Sequence, residues 1–137
     1  FLEGTIRTLE LNDRKLYEER LREIVEYIGK AYQIDTEVKW IAGPGAVIND
    51  KEWSDFAKEV AKEDDINVAS SAVSLGGEDF AFYLEKIKGT FIQIGTGETY
   101  PNHHPKFQVD PKALSLAAEY MSRLAVKALL KIEAGEE

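Results

Sequence analysis

Between Arg14 and Tyr32 an apolar residue returns every three or four positions: Tyr17, Leu21, Ile24, Val25, Ile28 and Tyr32. That spacing puts them on one stripe and predicts an amphipathic helix, which Asn12 or Asp13 can cap. On either side the period changes to two. Phe1 to Leu9 alternates, with Leu2, Gly4, Ile6 and Thr8 on one face, and Thr36 to Ala42 alternates through Val38, Trp40 and Ala42. Two alternating segments around a helix of this length predict a strand–helix–strand unit, its two strands parallel in one sheet. Two strands make a thin sheet with open edges. The unit is therefore expected to be one part of a longer chain, as does a first residue, Phe1, that already lies in a strand.

Gly43-Pro44-Gly45 interrupts the pattern and predicts a boundary over residues 43–49. Beyond it Asn49 and Glu52 form a capping box for a helix that runs to about Lys62 on Trp53, Phe56, Ala57, Val60 and Ala61. A short apolar strand is expected around Ile66 to Val73. Gly76-Gly77-Glu78-Asp79 reads as a tight turn into a helix, its two acids suited to the positive helix start. Thr90 to Ile94 predicts a buried strand. Asp110 and Pro111 predict the start of the last helix, with Leu114, Ala117, Ala118, Met121, Leu124, Ala128 and Leu129 as its buried face and a frayed tail over Glu133 to Glu137.

Both histidines, His103 and His104, stand in the loop from Gly95 to Phe107, which enters from the apolar run Phe91-Ile92-Gln93-Ile94 and leaves into the last helix. Imidazole is a common metal ligand and the usual near-neutral proton carrier. Two solvated histidines on a surface loop are the competing reading of the same residues. Pro105 restrains His104 to an extended backbone. The net charge of −8, with no basic cluster longer than two residues, argues against nucleic acid and anionic membranes as partners. No apolar stretch approaches a membrane span and no secretory signal is visible, so a cytoplasmic location is expected. The absence of cysteine removes disulfides and thiolate metal sites.

Three stretches then line up in order: Glu3-Gly4-Thr5-Ile6-Arg7-Thr8, Gly76-Gly77-Glu78-Asp79-Phe80-Ala81 and His103-His104-Pro105-Lys106-Phe107. Together they resemble the C-terminal part of the M20 metallopeptidase and amidohydrolase family, in the branch of hippurate hydrolases, aminoacylases and indole-acetyl-amino-acid hydrolases. The resemblance implies an α/β fold. Residues 1–42 would be the second half of a ferredoxin-like lid and dimerisation domain, 43–49 a hinge, and 50–137 the C-terminal part of an α/β zinc-peptidase-like catalytic domain. It implies that His103 is a metal ligand, with His104 in reserve, and that Arg7 grips the free carboxylate of a substrate through its planar fork. A solvated Arg7 on an edge strand is an equal alternative. Gly76 and Gly77 would offer backbone N–H groups near a substrate oxygen, while Glu78 and Asp79 read as structural. Gly77 stands where the family more often has Ala or Ser.

The family's His-x-Asp or Cys-x-His metal motif, its bridging acid and its double-glutamate segment with the general base have no counterpart here and belong upstream of Phe1. No catalytic residue is therefore expected in this stretch. The implied function is hydrolysis of the amide bond of an N-acyl amino acid or short peptide by the intact enzyme. It would use a divalent metal, Zn²⁺ before Mn²⁺ or Co²⁺, and form a homo-oligomer through the lid. Alone, the stretch is expected to be inactive and to retain no metal. A non-enzymatic dimerisation module is the rival reading. Metal storage is disfavoured by the two lone histidines.

Overall fold

A computed structural model describes residues 1–70 and 72–135. Its regular elements are four helices: α1 (Asp13–Tyr32), α2 (Lys51–Glu63), α3 (Ala81–Leu84) and α4 (Pro111–Glu133). Among the described residues there is no strand and no sheet. The expected α/β architecture, with half of a ferredoxin-like lid ahead of an α/β catalytic part, is thereby corrected. Phe1 to Leu9, Thr36 to Ala42 and Thr90 to Ile94 are irregular, as are the described residues of Ile66 to Val73, from which Ser71 is excepted. The physical reason is pairing. Alternation records which side chains can lie on a pleated face, whereas a strand exists only where a second backbone answers its N–H and C=O groups. The backbone bonds that link distant segments here are single ones, such as Asp50 N–H to the Gly89 carbonyl at 2.9 Å and Asp110 N–H to the Thr96 carbonyl at 3.2 Å. They do not repeat into a ladder.

The chain forms two compact units, Phe1–Asn49 with Ser71–Lys88, and Asp50–Ser70 with Gly89–Glu137. In the first unit, α1 lacks a side-chain cap at Asn12 and ends on Gln33 in the left-handed region, φ 55°. Gln33 N–H then reaches the Lys30 carbonyl at 3.3 Å and Ile34 N–H the Gly29 carbonyl at 3.0 Å. That closure turns the chain back along the helix. Side chains rather than a second strand hold the returning segment. Arg22 donates to the Val38 carbonyl at 3.0 Å while its other nitrogens bind Glu18, and Arg14 donates to the Gly43 carbonyl. The lengths agree: α1 rises about 22 Å from Arg14 to Gly29, and an extended chain covers about as much from Thr36 to Gly43. Of the expected stripe on α1, Leu21 and Val25 are half-buried, whereas Tyr17, Ile24, Ile28 and Tyr32 are exposed.

In the second unit, α2 packs on α4. The core is Ala57, Val60, Ala61, Tyr120 and Leu124, with Phe56, Ile66, Ile92 and Ile94 packed against it. Two of the residues expected in a strand, Ile92 and Ile94, thus serve the core from irregular backbone. The N-cap of α2 is Asp50, not Asn49: its carboxylate accepts from Trp53 N–H at 3.0 Å. The α4 cap is as expected, with Asp110 accepting from Lys112 N–H at 2.9 Å and Pro111 in the first turn. Its inward face is shifted, however. Ala117, Leu124 and Ala128 turn in beside Tyr120, while Leu114, Ala118, Met121 and Leu129 turn out. Tyr120 was missed because its hydroxyl reads as polar; in place, it donates to the Ala57 carbonyl at 2.8 Å. Ion pairs Arg123–Asp64, Lys127–Glu63 and Lys131–Glu52 (3.1 Å) fringe the contact. Of the expected frayed tail, Glu136 and Glu137 lie outside the described residues.

Candidate functional site

The Gly95–Phe107 loop belongs to the second unit, and its shape follows from a few backbone constraints. Gly97 has φ 89°, a conformation that side chains disfavour, so glycine is needed there. Gln108 N–H donates to Thr99 Oγ1 at 2.9 Å, and Asp110 N–H to the Thr96 carbonyl at 3.2 Å, which ties the outgoing arm to the incoming one. At the tip, His104 N–H donates to the Pro101 carbonyl at 3.1 Å and Phe107 N–H to the His104 carbonyl at 2.9 Å. Two successive turns result, Pro101–His104 and His104–Phe107, and His103 inside the first adopts φ 68°. A non-glycine residue in this region carries a backbone cost of order 1–2 kcal/mol. The hydrogen bond that closes the Pro101–His104 turn spans it and holds it there.

The two imidazoles are employed differently. His104 lies flat on Tyr100, with ring centroids 4.3 Å apart and an interplanar angle of 8°. Its Nδ1 accepts from Lys106 N–H at 3.1 Å, so the proton of the neutral ring sits on Nε2. Lys106 Nζ stands 5.9 Å from the Tyr100 centroid. His103, exposed, is hydrogen-bonded through its ring to nothing among the described residues. Beside the loop, Glu98, Thr99, Tyr100, Pro105, Lys106 and Gln108 line an open depression of about 380 Å³. Sequence reasoning missed Tyr100 and Thr99. Tyr100 lies four residues before His104, a signal that could have found the stack only with the intervening turn known.

Arg7, Gly76 and Gly77 belong to the first unit, and there the fold brings Arg7 and Gly77 together. A β-carbon on Gly77 would overlap Arg7 Nη1 and stand 3.0 Å from Cζ and 3.5 Å from Nη2. The guanidinium therefore lies directly against the glycine. It is exposed, and among the described residues it has no hydrogen-bonded or ion-paired partner. Gly76 N–H donates to Ser74 Oγ at 3.1 Å. Glu78 and Asp79 serve the turn: their carbonyls accept from Ala81 N–H and Phe82 N–H, both at 3.1 Å, at the start of α3.

Among the described residues no three His, Cys, Asp or Glu side chains are grouped to hold a metal ion. A protein metal site takes three or four such donors. His103 supplies one uncommitted imidazole, so these residues do not by themselves fit a metal. No helix among the described residues is long and apolar enough to cross a membrane.

Comparison with known proteins identifies the class. Residues 5–127 match the model of peptidase family M20/M25/M40, and the chain belongs to that family. Among relatives, it is 38% identical over 132 residues to N-acetylcysteine deacetylase of Bacillus subtilis (strain 168), covering 96% of this chain and 35% of the relative. It is 36% identical to thermostable carboxypeptidase 1 of Saccharolobus solfataricus, covering 92% of this chain and 33% of that protein. Among solved structures it is similar to the Bacillus subtilis YXEP protein, a dinuclear metal binding peptidase from the M20 family. The TM-score is 0.80 and the identity 37%, covering 89% of this chain and 34% of that one. The chain thus spans about a third of the length of the relatives it matches.

Proposed function

We propose that this chain is part of a metal-dependent amidohydrolase that cleaves the amide bond of N-acyl amino acids or short peptides. The observation that carries the reading is the match over residues 5–127, with relatives whose names denote deacetylases of N-acetylated amino acids and a carboxypeptidase. Those substrates share a free carboxylate beside an amide bond. The exposed Arg7 guanidinium suits that carboxylate, because a planar fork makes two parallel hydrogen bonds to it. His103 would be one ligand of a divalent metal whose other ligands come from elsewhere in the longer enzyme. Zn²⁺ is the first choice, since neutral imidazole suits it, with Mn²⁺ or Co²⁺ next. His104 and Tyr100 would hold the loop that presents His103. The general base would also lie outside this stretch.

The 137-residue chain alone is accordingly expected to hydrolyse nothing. Exposed apolar side chains on α1 and α4, among them Ile24, Ile28, Leu114 and Leu129, favour self-association of the isolated chain, and the whole enzyme is expected to be a homo-oligomer in the cytoplasm. The deciding assay presents acetylated and benzoylated amino acids and dipeptides to the full-length enzyme with added Zn²⁺, Mn²⁺ or Co²⁺. Turnover of at least one substrate class supports the reading. Failure with every substrate and metal, in a folded metal-loaded protein, would leave the dimerisation module as the better account.

A further inference from the structure

We propose that Thr99 is a positioning residue: its hydroxyl closes the loop that presents His103, and this closure keeps the His103 turn in its disfavoured backbone conformation. The inference rests on His103 being a metal ligand in the intact enzyme, as proposed above. The arms of the loop are tied at two depths. The outer tie, Asp110 N–H to the Thr96 carbonyl at 3.2 Å, runs backbone to backbone and is indifferent to the side chains there. The inner tie depends on a side chain, because Gln108 N–H donates to Thr99 Oγ1 at 2.9 Å. It closes residues 100–107 into one ring, which contains both turns and the stack of His104 on Tyr100.

A non-glycine residue at φ 68° persists only where its surroundings over-determine it. For His103 the Pro101–His104 hydrogen bond, at 3.1 Å, spans the residue, and the ring closed by Thr99 encloses that turn. Without the Thr99 hydroxyl the next closure outward is Thr96–Asp110, and the longer loop samples more conformations. The His103 backbone can then relax, and its imidazole leaves the place where it was presented. Apparent affinity falls with the fraction of protein in the competent conformation, so metal binding weakens although the donor itself is still there. Thr99 is exposed, so removing its hydroxyl opens no cavity in the core, and water can take up the Gln108 N–H. The effect should therefore be confined to the loop.

The test uses the full-length enzyme as wild type, Thr99→Val, Thr99→Ser and His103→Ala. Valine keeps the branched shape and removes the acceptor, whereas serine keeps the hydroxyl. Hydrogen exchange is read at the Gln108 and His104 amides, the Zn²⁺ dissociation constant by competition with a chelator, and stability by the urea midpoint. In Thr99→Val both amides should exchange faster and the dissociation constant should rise about fivefold, the scale of one neutral hydrogen bond. The urea midpoint should stay as in wild type, and Thr99→Ser should restore both exchange and Zn²⁺ binding. Unchanged Zn²⁺ binding in His103→Ala would remove His103 as a ligand and this inference with it. Where His103→Ala does lose Zn²⁺, unchanged exchange at the His104 amide or unchanged Zn²⁺ binding in Thr99→Val would overturn the role of Thr99 alone. A Thr99→Ser variant as weak as Thr99→Val would overturn it too, because the hydroxyl would not be the acting group. So would a lowered urea midpoint in Thr99→Val, which would mark a general loss of stability.

Discussion

The Tyr120 hydroxyl gives its proton to the Ala57 carbonyl at 2.8 Å, and its ring lies in the core of the second unit. Removing the hydroxyl in Tyr120→Phe keeps the ring packing and should cost about 1 kcal/mol of that unit's stability, measured by urea titration. Burial pushes the Tyr120 phenol above its ordinary value of 10.0. The unfolded chain therefore releases this proton first as pH rises. The contribution is complete below about pH 10 and is lost as pH climbs through the folded value. Wild type should lose more stability than Tyr120→Phe between pH 9 and 11, and equal losses would remove Tyr120 as the cause. In the loop, His104 works through an acceptor, since Nδ1 takes the Lys106 N–H at 3.1 Å. Asparagine can accept from the N–H two residues on, whereas leucine cannot. Hydrogen exchange at the Lys106 amide should be markedly faster in His104→Leu and close to wild type in His104→Asn. That both histidines share this loop was legible in the sequence. The stack of His104 on Tyr100 was not, because it depends on two turns whose hydrogen bonds carry no sequence signature of their own.

Helices were the legible elements. Periodicity in α1 and the Asp110-Pro111 start of α4 located them to within a residue, because each helix closes its own hydrogen bonds. The strands were not legible, because alternation names the faces of a strand and says nothing of a partner. Ile92 and Ile94 read as strand interior and instead cover the α2–α4 core. Even within a helix, the period leaves the choice of face open when both sides are apolar, as in α4, where Leu114 and Leu129 turn outward. The return of the chain along α1 depends on a close approach at Gly29, the one buried residue of that helix. A β-carbon there would stand 2.8 Å from Thr36 Cγ2 and 3.0 Å from the Ile34 carbonyl oxygen. Helix propensity alone would favour alanine by about 1 kcal/mol. The clash involves backbone and outweighs it, so Gly29→Ala should destabilise the first unit by a net ~1–2 kcal/mol. A urea midpoint that rises in this variant would show that the returning segment yields easily.

At the scale of the molecule, the chain is two compact units, with Arg7 and Gly77 in the first and His103 and its loop in the second. Its family membership spans both units, through residues 5–127, while its length is about a third of that of its relatives. Much apolar surface is exposed on both α1 and α4. Purified alone, the chain should scatter light as an oligomer and show no amidohydrolase turnover above background. Robust turnover would mean that the donors for catalysis lie within these residues after all. The central proposal is that His103, at φ 68° inside the Pro101–His104 turn, would be a metal ligand, with His104 as its support. The most direct measurement is the metal content, after dialysis, of the full-length enzyme as wild type, His103→Ala and His104→Ala. The expected result is bound metal lost in His103→Ala and largely kept in His104→Ala; full occupancy in His103→Ala would contradict the assignment.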